Sequence, residues 1–213
     1  MTKERPILFS GAMVRAILDG QKTQTRRIMK NQPPADTFRM DTFHHPKGQH
    51  YFWAYKEAFS GCELHPGWEP ICCPYGQPGD RLWVREAWAE IRPPFSPWPA
   101  TMYVYRAGDT RTDYGGPWKP SIHMPRKACR IELEITSVRV ERLNDCSEAD
   151  AVAEGVIQHD EKRGWVNECK LSDGKRHFDS SAYGMYRQLW EDINGADSWD
   201  ANPWVWVVEF RKV

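Results

Sequence analysis

The longest alternation of apolar and polar residues in this chain covers residues 130–143. Ile131, Leu133 and Ile135 alternate there with charged or hydroxylated residues, and two valines continue the pattern. Successive side chains of a strand point to opposite faces of a sheet, so this segment predicts a long strand with one buried face. A fold for this chain must therefore contain a β-sheet that is covered on at least one side.

Two further strands are predicted on either side of the long one. Residues 79–90 alternate after a Pro-Gly-Asp turn, and residues 203–211 form an aromatic and β-branched run typical of a central strand. We expect these two segments and the long one to be strands of one barrel-like sheet. Serine caps, apolar stripes and following glycines predict helices at residues 11–19, 147–154 and 180–193.

Proline-rich stretches interrupt this pattern at residues 31–78 and 92–125. We interpret the first as an insertion with little regular structure beyond an aromatic segment at 51–59, and the second as one that contains a strand at 101–105. Residues 158–177 are polar and loop-like. The chain of 213 residues is therefore predicted to be a single domain, mostly β with flanking helices (α+β), built on a small β-barrel that carries two long insertions.

Charge and hydropathy exclude some classes of protein. Lys and Arg number 29, as do Asp and Glu, and the resulting net charge of zero argues against a strongly basic coat for nucleic acid. No apolar run approaches the roughly 20 residues that a membrane helix needs, and the first residues lack the pattern of a secretory signal. We therefore expect a cytoplasmic protein without a membrane partner, whose six cysteines are reduced thiols.

The cysteines and histidines do not form a metal motif. Cys62, His65 and the pair Cys72 and Cys73 supply four candidate ligands, but adjacent cysteines suit one tetrahedral site poorly and the second half of a zinc motif is missing. The sequence also lacks glycine-rich nucleotide loops and a Gly-x-Ser-x-Gly motif. It therefore predicts neither a metal nor a cofactor.

The stretch DGQKTQTRR, residues 19–27, concentrates positive charge and hydroxyl groups directly behind a predicted helix. A lysine that is desolvated has a lowered pKa and can take a proton from a hydroxyl. Lys22 and Thr25 would face opposite sides of a regular strand, so they meet only where a turn or bulge interrupts it, and Gly20 favours such a turn. A solvated basic face is the alternative that these residues leave open.

Tryptophan and arginine also alternate in residues 79–90. Trp83 beside Arg85 offers a stacking and charge platform for a base, whereas packing in a barrel interior is the alternative for the tryptophans of this chain.

Three blocks of the sequence resemble the ASCH domain family, a relative of the PUA domains of RNA-modifying enzymes, in order and content. The blocks are Gly20-x-Lys22-x-x-Thr25-x-Arg27, Pro78-Gly79-Asp80-x-Leu82-x-Val84 and Trp206-Val207-Val208-Glu209-Phe210. Longer ASCH proteins with blocks similar to CPYGQPGD and PSIHMPR are common in phage and prophage genomes. The two proline-rich stretches have no counterpart in the smallest members of the family.

The resemblance implies a PUA-like small β-barrel with a cleft flanked by helices. It also implies an activity, because the smallest bacterial members are amidohydrolases that remove the acetyl group from N4-acetylcytidine. Their catalytic lysine and threonine fall on Lys22 and Thr25, and their glutamate falls in the helix after the long strand, where the spacing favours Glu154 over Glu148. The family arginine falls on Arg27.

Two functions from different classes follow. The first is an amidohydrolase acting on N4-acylated cytosine nucleosides with Lys22, Thr25 and Glu154. The second is an RNA-binding ASCH module, or a weak ribonuclease, in which Lys22, Arg26, Arg27 and Lys30 hold phosphates. The expected partner is thus a nucleoside or RNA, and we assign its binding to four residues: Arg26, Arg27, Trp83 and Glu86. A third alternative is a phage accessory protein that keeps the fold without catalysis.

Overall fold

The computed structural model describes residues 2–44, 48–58, 61–91, 102–108, 117–159, 167–171 and 175–213. In chain order, its strands and α-helices are β1 (Glu4–Leu8), α1 (Gly11–Leu18), β2 (Gln24–Ile28), β3 (Thr37–His44), β4 (His50–Ala58), β5 (Gly61–Leu64), β6 (Arg81–Arg85), β7 (Trp88–Ile91), β8 (Met102–Tyr105), β9 (Glu132–Arg142), α2 (Glu148–Ala153), β10 (Ile157–Gln158), β11 (Asn167–Lys170), β12 (Arg176–Asp179), α3 (Ala182–Asn194) and β13 (Trp204–Lys212). Short 3-10 helices occur at Ser121–His123, Arg126–Ala128 and Leu143–Asp145.

A five-stranded sheet with the order β1-β6-β9-β13-β2 organises the molecule. β1 and β6 are parallel, and the other neighbours are antiparallel. The strands predicted at residues 130–143 and 203–211 are confirmed as β9 and β13. The prediction for residues 79–90 is wrong in one respect, because β6 ends at Arg85 and β7 pairs with β8 in a separate sheet. The break falls at Glu86, whose main-chain N–H contacts the sulfur of Met124.

Among the described strands, the five-stranded sheet is open, with β1 and β2 as its two edges. The edges nevertheless come close, since the guanidinium of Arg27 in β2 donates a hydrogen bond of 2.6 Å to the carbonyl oxygen of Leu8 in β1. The Arg27 side chain therefore bridges β1 and β2, which in a closed barrel would be joined by main-chain hydrogen bonds. The fold class itself, mostly β with flanking helices, is the one predicted from the sequence.

The proline-rich stretch 31–78 is more regular than predicted. It contains β3, β4 and β5, which form an antiparallel sheet, and β4 includes the predicted aromatic segment as far as residue 58, the last one described there. Phe52 of β4 packs edge-on against Trp206 of β13, with 4.9 Å between ring centroids. The stretch thus contributes to the main core, and those of its prolines that the structure describes occupy the connections between strands.

Two other segments also differ from the prediction. Residues 158–177 were expected to be a loop, but the described part contains strand residues of β10, β11 and β12, which form a three-stranded antiparallel sheet. The strand predicted at 101–105 is confirmed as β8 from residue 102 onward. Residues 92–101, 109–116 and 160–166 lie outside the described residues.

The predicted helices are confirmed, and each begins at a serine cap. The side chains of Ser10, Ser147 and Ser181 accept hydrogen bonds from main-chain N–H groups in the first turns of α1, α2 and α3. Asp150 completes a capping box with Ser147. None of the described helices combines the length and the apolarity that a membrane crossing requires.

Both faces of β13 are buried, which is why its sequence is apolar without alternation. Trp206 and Val208 face the core shared with α1 and β4, whereas Val205 and Val207 face a second core beneath α2 and α3. Two layers therefore cover the sheet on opposite sides. The edge strand β2 lies where these layers meet, and that is where the candidate site is found.

Candidate functional site

Lys22 follows a tight turn at the end of α1. Gly20 has a φ angle of +75°, a left-handed conformation that glycine adopts without steric cost. Lys22 then donates its main-chain N–H to the carbonyl of Ala16, and Thr23 donates to the carbonyl of Ala153 in α2, at 3.0 and 2.9 Å. The turn predicted at Gly20 is confirmed, and it brings the chain to the C-terminal end of α2.

The side chain of Lys22 is completely buried and is held by a single residue. Its Nζ lies 2.8 Å from the main-chain oxygen of Glu154 and 2.8 Å from Oε2 of the same residue. Burial lowers the pKa of Lys22, and the charge of Glu154 acts in the opposite direction. Of the three residues predicted to converge in one cleft, Lys22, Arg27 and Glu154, the structure brings Lys22 and Glu154, which lie 132 positions apart in the chain, into direct contact.

Glu154 is the C-cap residue of α2, directly after the last helical turn. Glu148, the other glutamate of this segment, has a different role. Its carboxylate accepts hydrogen bonds from the main-chain N–H groups of Ala182 and Tyr183, at the start of α3. Glu148 therefore caps a helix, whereas Glu154 contacts Lys22, and the catalytic role of Glu154 stays a prediction.

The glycine after Glu154 is fitted to the lysine stem. Gly155 has a φ angle of +101°, and a β-carbon placed there would lie 3.4 Å from Cβ of Lys22 and 3.3 Å from Cβ of Ala16. Both the conformation and the close approach favour glycine at this position. The sequence indicated Gly155 only as the end of a helix.

Arg26 is enclosed by carboxylates. Its guanidinium pairs with Glu141, with Asp150 at 3.4 Å and with Glu154 at 3.3 Å. Its Cζ also lies 5.8 Å from the ring centroid of Tyr186 in α3. Because the Arg26 side chain has no exposed surface, the structure gives no support to the prediction that it holds a phosphate. Its contacts instead fix the position of Glu154.

Arg27 points to the opposite face of β2. Its Cζ lies 5.3 Å from the ring centroid of Phe9, and its Nη2 donates to Leu8. No carboxylate pairs with Arg27 among the described residues, and its buried Nε has no hydrogen-bond partner there. This guanidinium therefore retains one donor that no described group of the protein satisfies.

Two cavities meet at Glu154. The smaller one, of about 130 Å³, follows β2 and is also lined by Tyr75 and by Trp190 of α3. The larger one, of about 810 Å³, lies between α1, α3 and the sheet that contains β11. Thr25 lines the smaller cavity, and Glu154 lines both. Lys22 is behind Glu154 and lines neither, so Glu154 is the group that connects the buried lysine with the cavities.

The other two predicted binding residues lie apart from this arrangement. Glu86 is buried and forms a two-pronged ion pair with Arg130, with contacts of 2.8 and 2.9 Å. Trp83 packs under the guanidinium of Arg85, with 5.2 Å between Cζ and the ring centroid. Neither Trp83 nor Glu86 is among the described residues that line the two cavities. Their roles in binding stay predictions.

Sequence reasoning missed Tyr75 and Trp190 as residues of the site. Tyr75 lies within the block CPYGQPGD, which served only as a family signature. Trp190 was interpreted as one member of the apolar stripe of α3, and the structure does bury it. Its distinguishing property is an indole N–H without a partner among the described residues, which a sequence does not reveal.

Metal-binding side chains are dispersed in the described part of the chain, where no group of three or more is positioned to hold an ion. Cys62 and Cys72 are exposed, Cys73 is buried, and His65 contacts Asp36. The three cysteines and the histidine therefore lie in different environments and do not surround a common centre.

The fold and the site together define an α+β protein with a buried lysine–glutamate pair at the junction of two cavities. No family model, no curated protein and no solved structure matches this chain. Membership of the ASCH family accordingly stays a prediction that depends on the three sequence blocks.

Proposed function

We propose that this protein is an amidohydrolase that removes the acyl group from N4-acylated cytosine nucleosides. The observation that carries the proposal is the buried pair of Lys22 and Glu154, next to a cavity that Thr25 also lines. The resemblance to the ASCH family supplies the substrate class. We also propose that the open five-stranded sheet is related to the PUA fold.

The surroundings of Lys22 suit a base. A lysine can accept a proton only when its amine is neutral, and burial lowers its pKa toward that state. Glu154 contacts the amine through Oε2 and reaches both cavities, so a proton can pass from a bound molecule to Lys22 through this carboxylate. Glu154 thus acts as the relay, and Lys22 as the final acceptor.

The reaction then takes place in two stages. The Thr25 hydroxyl attacks the acyl carbonyl, and its proton moves through Glu154 to Lys22. The carbon–nitrogen bond breaks as this proton is returned to N4, which releases cytidine and leaves the acyl group on Thr25 as an ester. A water molecule attacks the ester in the same manner, and the products are the carboxylic acid and free Thr25. If Thr25 instead orients a water molecule, the same proton transfers complete hydrolysis in one stage.

Arg27 has a supporting role in this proposal. Its guanidinium packs against Phe9, the residue lines the smaller cavity, and no carboxylate pairs with it among the described residues. A guanidinium in this position orients the acyl oxygen and stabilises the negative charge that develops on it.

The RNA-binding alternative receives little support from the basic stretch. Lys22 and Arg26 are buried, and Arg27 donates to Leu8. Of the four cations that were to hold phosphates, Lys30 is the one that is exposed. Because phosphate binding requires accessible cations, this arrangement favours the amidohydrolase over the RNA-binding module.

The direct test is to incubate the protein with N4-acetylcytidine and to measure cytidine by chromatography. We expect cytidine to form, and we expect Lys22→Ala to lower turnover by roughly 10²- to 10⁴-fold, as for the loss of a proton-transfer group. Lys30→Ala is the matched control, because it removes an exposed lysine that follows the stretch closely in sequence, and it should leave turnover unchanged.

A second measurement separates the two roles of Thr25. Mass spectrometry after rapid quenching should detect an acyl adduct on Thr25 if the threonine attacks directly, and Thr25→Ala should then be inactive. The proposal is abandoned if wild-type protein releases no cytidine from any N4-acylcytidine, or if Lys22→Ala and Glu154→Gln both retain full turnover.

A further inference from the structure

The edge of β2 that faces away from β13 has main-chain groups without partners. Met29 donates to the carbonyl of Trp204, and the register is regular along the pair. Since bonded and non-bonded positions alternate in an antiparallel ladder, Arg27 is bonded to β13, whereas Arg26 and Ile28 direct their N–H and C=O groups outward. These groups have no main-chain partner among the described residues.

The smaller cavity lies along this edge. Four consecutive residues, Thr25 to Ile28, line it, and aromatic side chains from both layers of the fold supply its walls: Tyr75 on one side, and Tyr186 and Trp190 on the other. Its volume of about 130 Å³ is close to the roughly 150 Å³ of an engineered cavity that binds benzene. The cavity is therefore the size of a single six-membered ring.

Trp190 adds a donor to this cavity. The residue is only 4% exposed, and its Nε1 has no hydrogen-bond partner among the described residues. A buried N–H that lacks a partner is unfavourable, so a ligand with an acceptor at this position gains a hydrogen bond that the free protein does not make. The cavity thus combines stacking walls, an unpaired indole donor and an outward main-chain N–H and C=O.

We propose that this cavity recognises the cytosine ring by its hydrogen-bonding edge, with β2 pairing to the ring as it would to a neighbouring strand. The Arg26 N–H donates to ring nitrogen N3, the Arg26 carbonyl accepts from the N4 hydrogen, and the Trp190 indole donates to O2. This assignment rests on the proposed function for the identity of the ring, but binding of the ring does not require hydrolysis.

The arrangement distinguishes cytosine from uracil. Uracil carries a hydrogen on N3 and an oxygen at C4, so it presents a donor to the Arg26 N–H and an acceptor to the Arg26 carbonyl. Both main-chain groups then face a partner of the wrong kind. Because the groups that discriminate belong to the main chain, no side-chain substitution at position 26 can remove this preference directly.

Calorimetric titration with nucleosides tests the inference, and cytidine is the reference ligand. Wild-type protein should bind cytidine roughly 10- to 100-fold more tightly than uridine, and 3-deazacytidine, which lacks the N3 acceptor, should bind about 2- to 12-fold more weakly than cytidine. Trp190→Phe keeps an aromatic ring at this position but removes the indole N–H donor, and it should weaken cytidine binding by about 2- to 12-fold.

Trp204→Phe is the matched control. Trp204 is also 4% exposed with an unpaired Nε1 among the described residues, but it lines neither cavity. The Trp204→Phe variant should therefore bind cytidine with the affinity of the wild-type protein. Equal affinity for cytidine and 3-deazacytidine overturns the inference, and so do equal affinities of the two tryptophan variants for cytidine. The 3-deazacytidine comparison needs no variant, so it decides even if Trp190→Phe does not fold.

The same experiment separates this inference from the proposed function. Selective binding of cytidine without cleavage of N4-acylcytidines would overturn the amidohydrolase and leave the recognition site intact. Cleavage of N4-acetylcytidine with unchanged KM in Trp190→Phe and no preference over uridine would overturn the recognition site and leave the amidohydrolase intact.

Discussion

Arg26 and Arg27 are adjacent in sequence, yet they lie in opposite environments on the two faces of β2. Arg26 is enclosed on the side of α2 and α3 by three carboxylates, whereas Arg27 lies on the side of Phe9 with no carboxylate partner among the described residues. The first guanidinium has its charge balanced within the protein. The second retains an unpaired donor beside a cavity.

The difference shows how a cluster of like charges in a sequence can be divided between structure and function. Strand geometry sends neighbouring side chains to opposite faces, so one arginine of a pair enters the interior and the other remains near a ligand site. A buried ion pair does not in itself establish stability, but removal of one partner leaves a buried charge uncompensated. We therefore expect Arg26 to matter for folding and Arg27 for activity.

Stability should reveal the largest difference between the two faces. Arg26→Ala leaves Glu154 with a single cation and Glu141 without its buried partner, and we expect the free energy of unfolding to fall by about 3–5 kcal/mol. Arg27→Ala should cost about 1 kcal/mol, the usual value of one hydrogen bond. Urea unfolding followed by tryptophan fluorescence measures both, and equal losses would show that the two arginines are equivalent.

The effects on activity should have the opposite order, with a direct role for Arg27 in the reaction and a structural one for Arg26. Arg27→Ala removes a charged donor beside the smaller cavity, and we expect kcat/KM for N4-acetylcytidine to fall roughly 10- to 100-fold, with the fold retained. Arg15→Ala, a change in the larger cavity away from the ion-pair cluster, is the control and should have little effect. A normal rate for Arg27→Ala would make this residue purely structural.

A substitution at Gly155 tests whether the close packing of this residue against the Lys22 side chain matters for activity. Gly155→Ala imposes a left-handed φ on alanine and pushes its β-carbon toward the lysine stem, so it should lose about 1–3 kcal/mol of stability and reduce turnover. Gly79→Ala is a matched control, because Gly79 has φ +87° and its β-carbon would meet no atom within 4 Å. It should lose stability without a loss of turnover per folded molecule. A similar turnover for both variants would mean that the fit against Lys22 is unimportant.

The smallest expected effect is a dependence of stability on pH. Burial lowers the pKa of Lys22 in the folded protein below the unfolded value of 10.5. Between these two values the unfolded chain binds one more proton than the folded one, so stability rises with pH in this window, by at most about 1.4 kcal/mol per pH unit. Lys22→Met should lack this rise, as measured by urea unfolding from pH 7 to pH 10. An unchanged slope in Lys22→Met would show that Lys22 remains charged when folded.

The sequence predicted the elements whose local pattern agrees with their environment. Apolar and polar residues alternate in β9 because one face of this strand is more deeply buried than the other. The three helices carry serine caps that determine where they begin. Residues 31–78 were misinterpreted because prolines in the connections obscured the strands between them. The end of β6 was also missed, since the ion pair of Glu86 with Arg130 depends on a residue 44 positions away.

The residues of the candidate site were likewise predictable only in part. Lys22, Thr25 and Glu154 were predicted from a family resemblance, and the structure brings Lys22 and Glu154 into contact. The burial of Arg26 was not predictable, because Glu141, Asp150 and Glu154 come from distant segments and meet it only in the folded protein. Trp190 has the sequence pattern of a core residue, and only the positions of its neighbours show that its indole N–H is unpaired.

The position of β13 between β9 and β2 also has a consequence for biosynthesis. β2 pairs with no described strand other than β13, so residues 24–28 emerge from the ribosome long before the partner that fixes them in the sheet. Until residues 204–212 have been translated, β2 has no strand to pair with, so Arg26 and Arg27 lack the sheet that separates them onto its two faces. Nascent chains of this protein should therefore present these cations to a chaperone or to the ribosome surface, and the site should form in one late step, when the last strand is inserted.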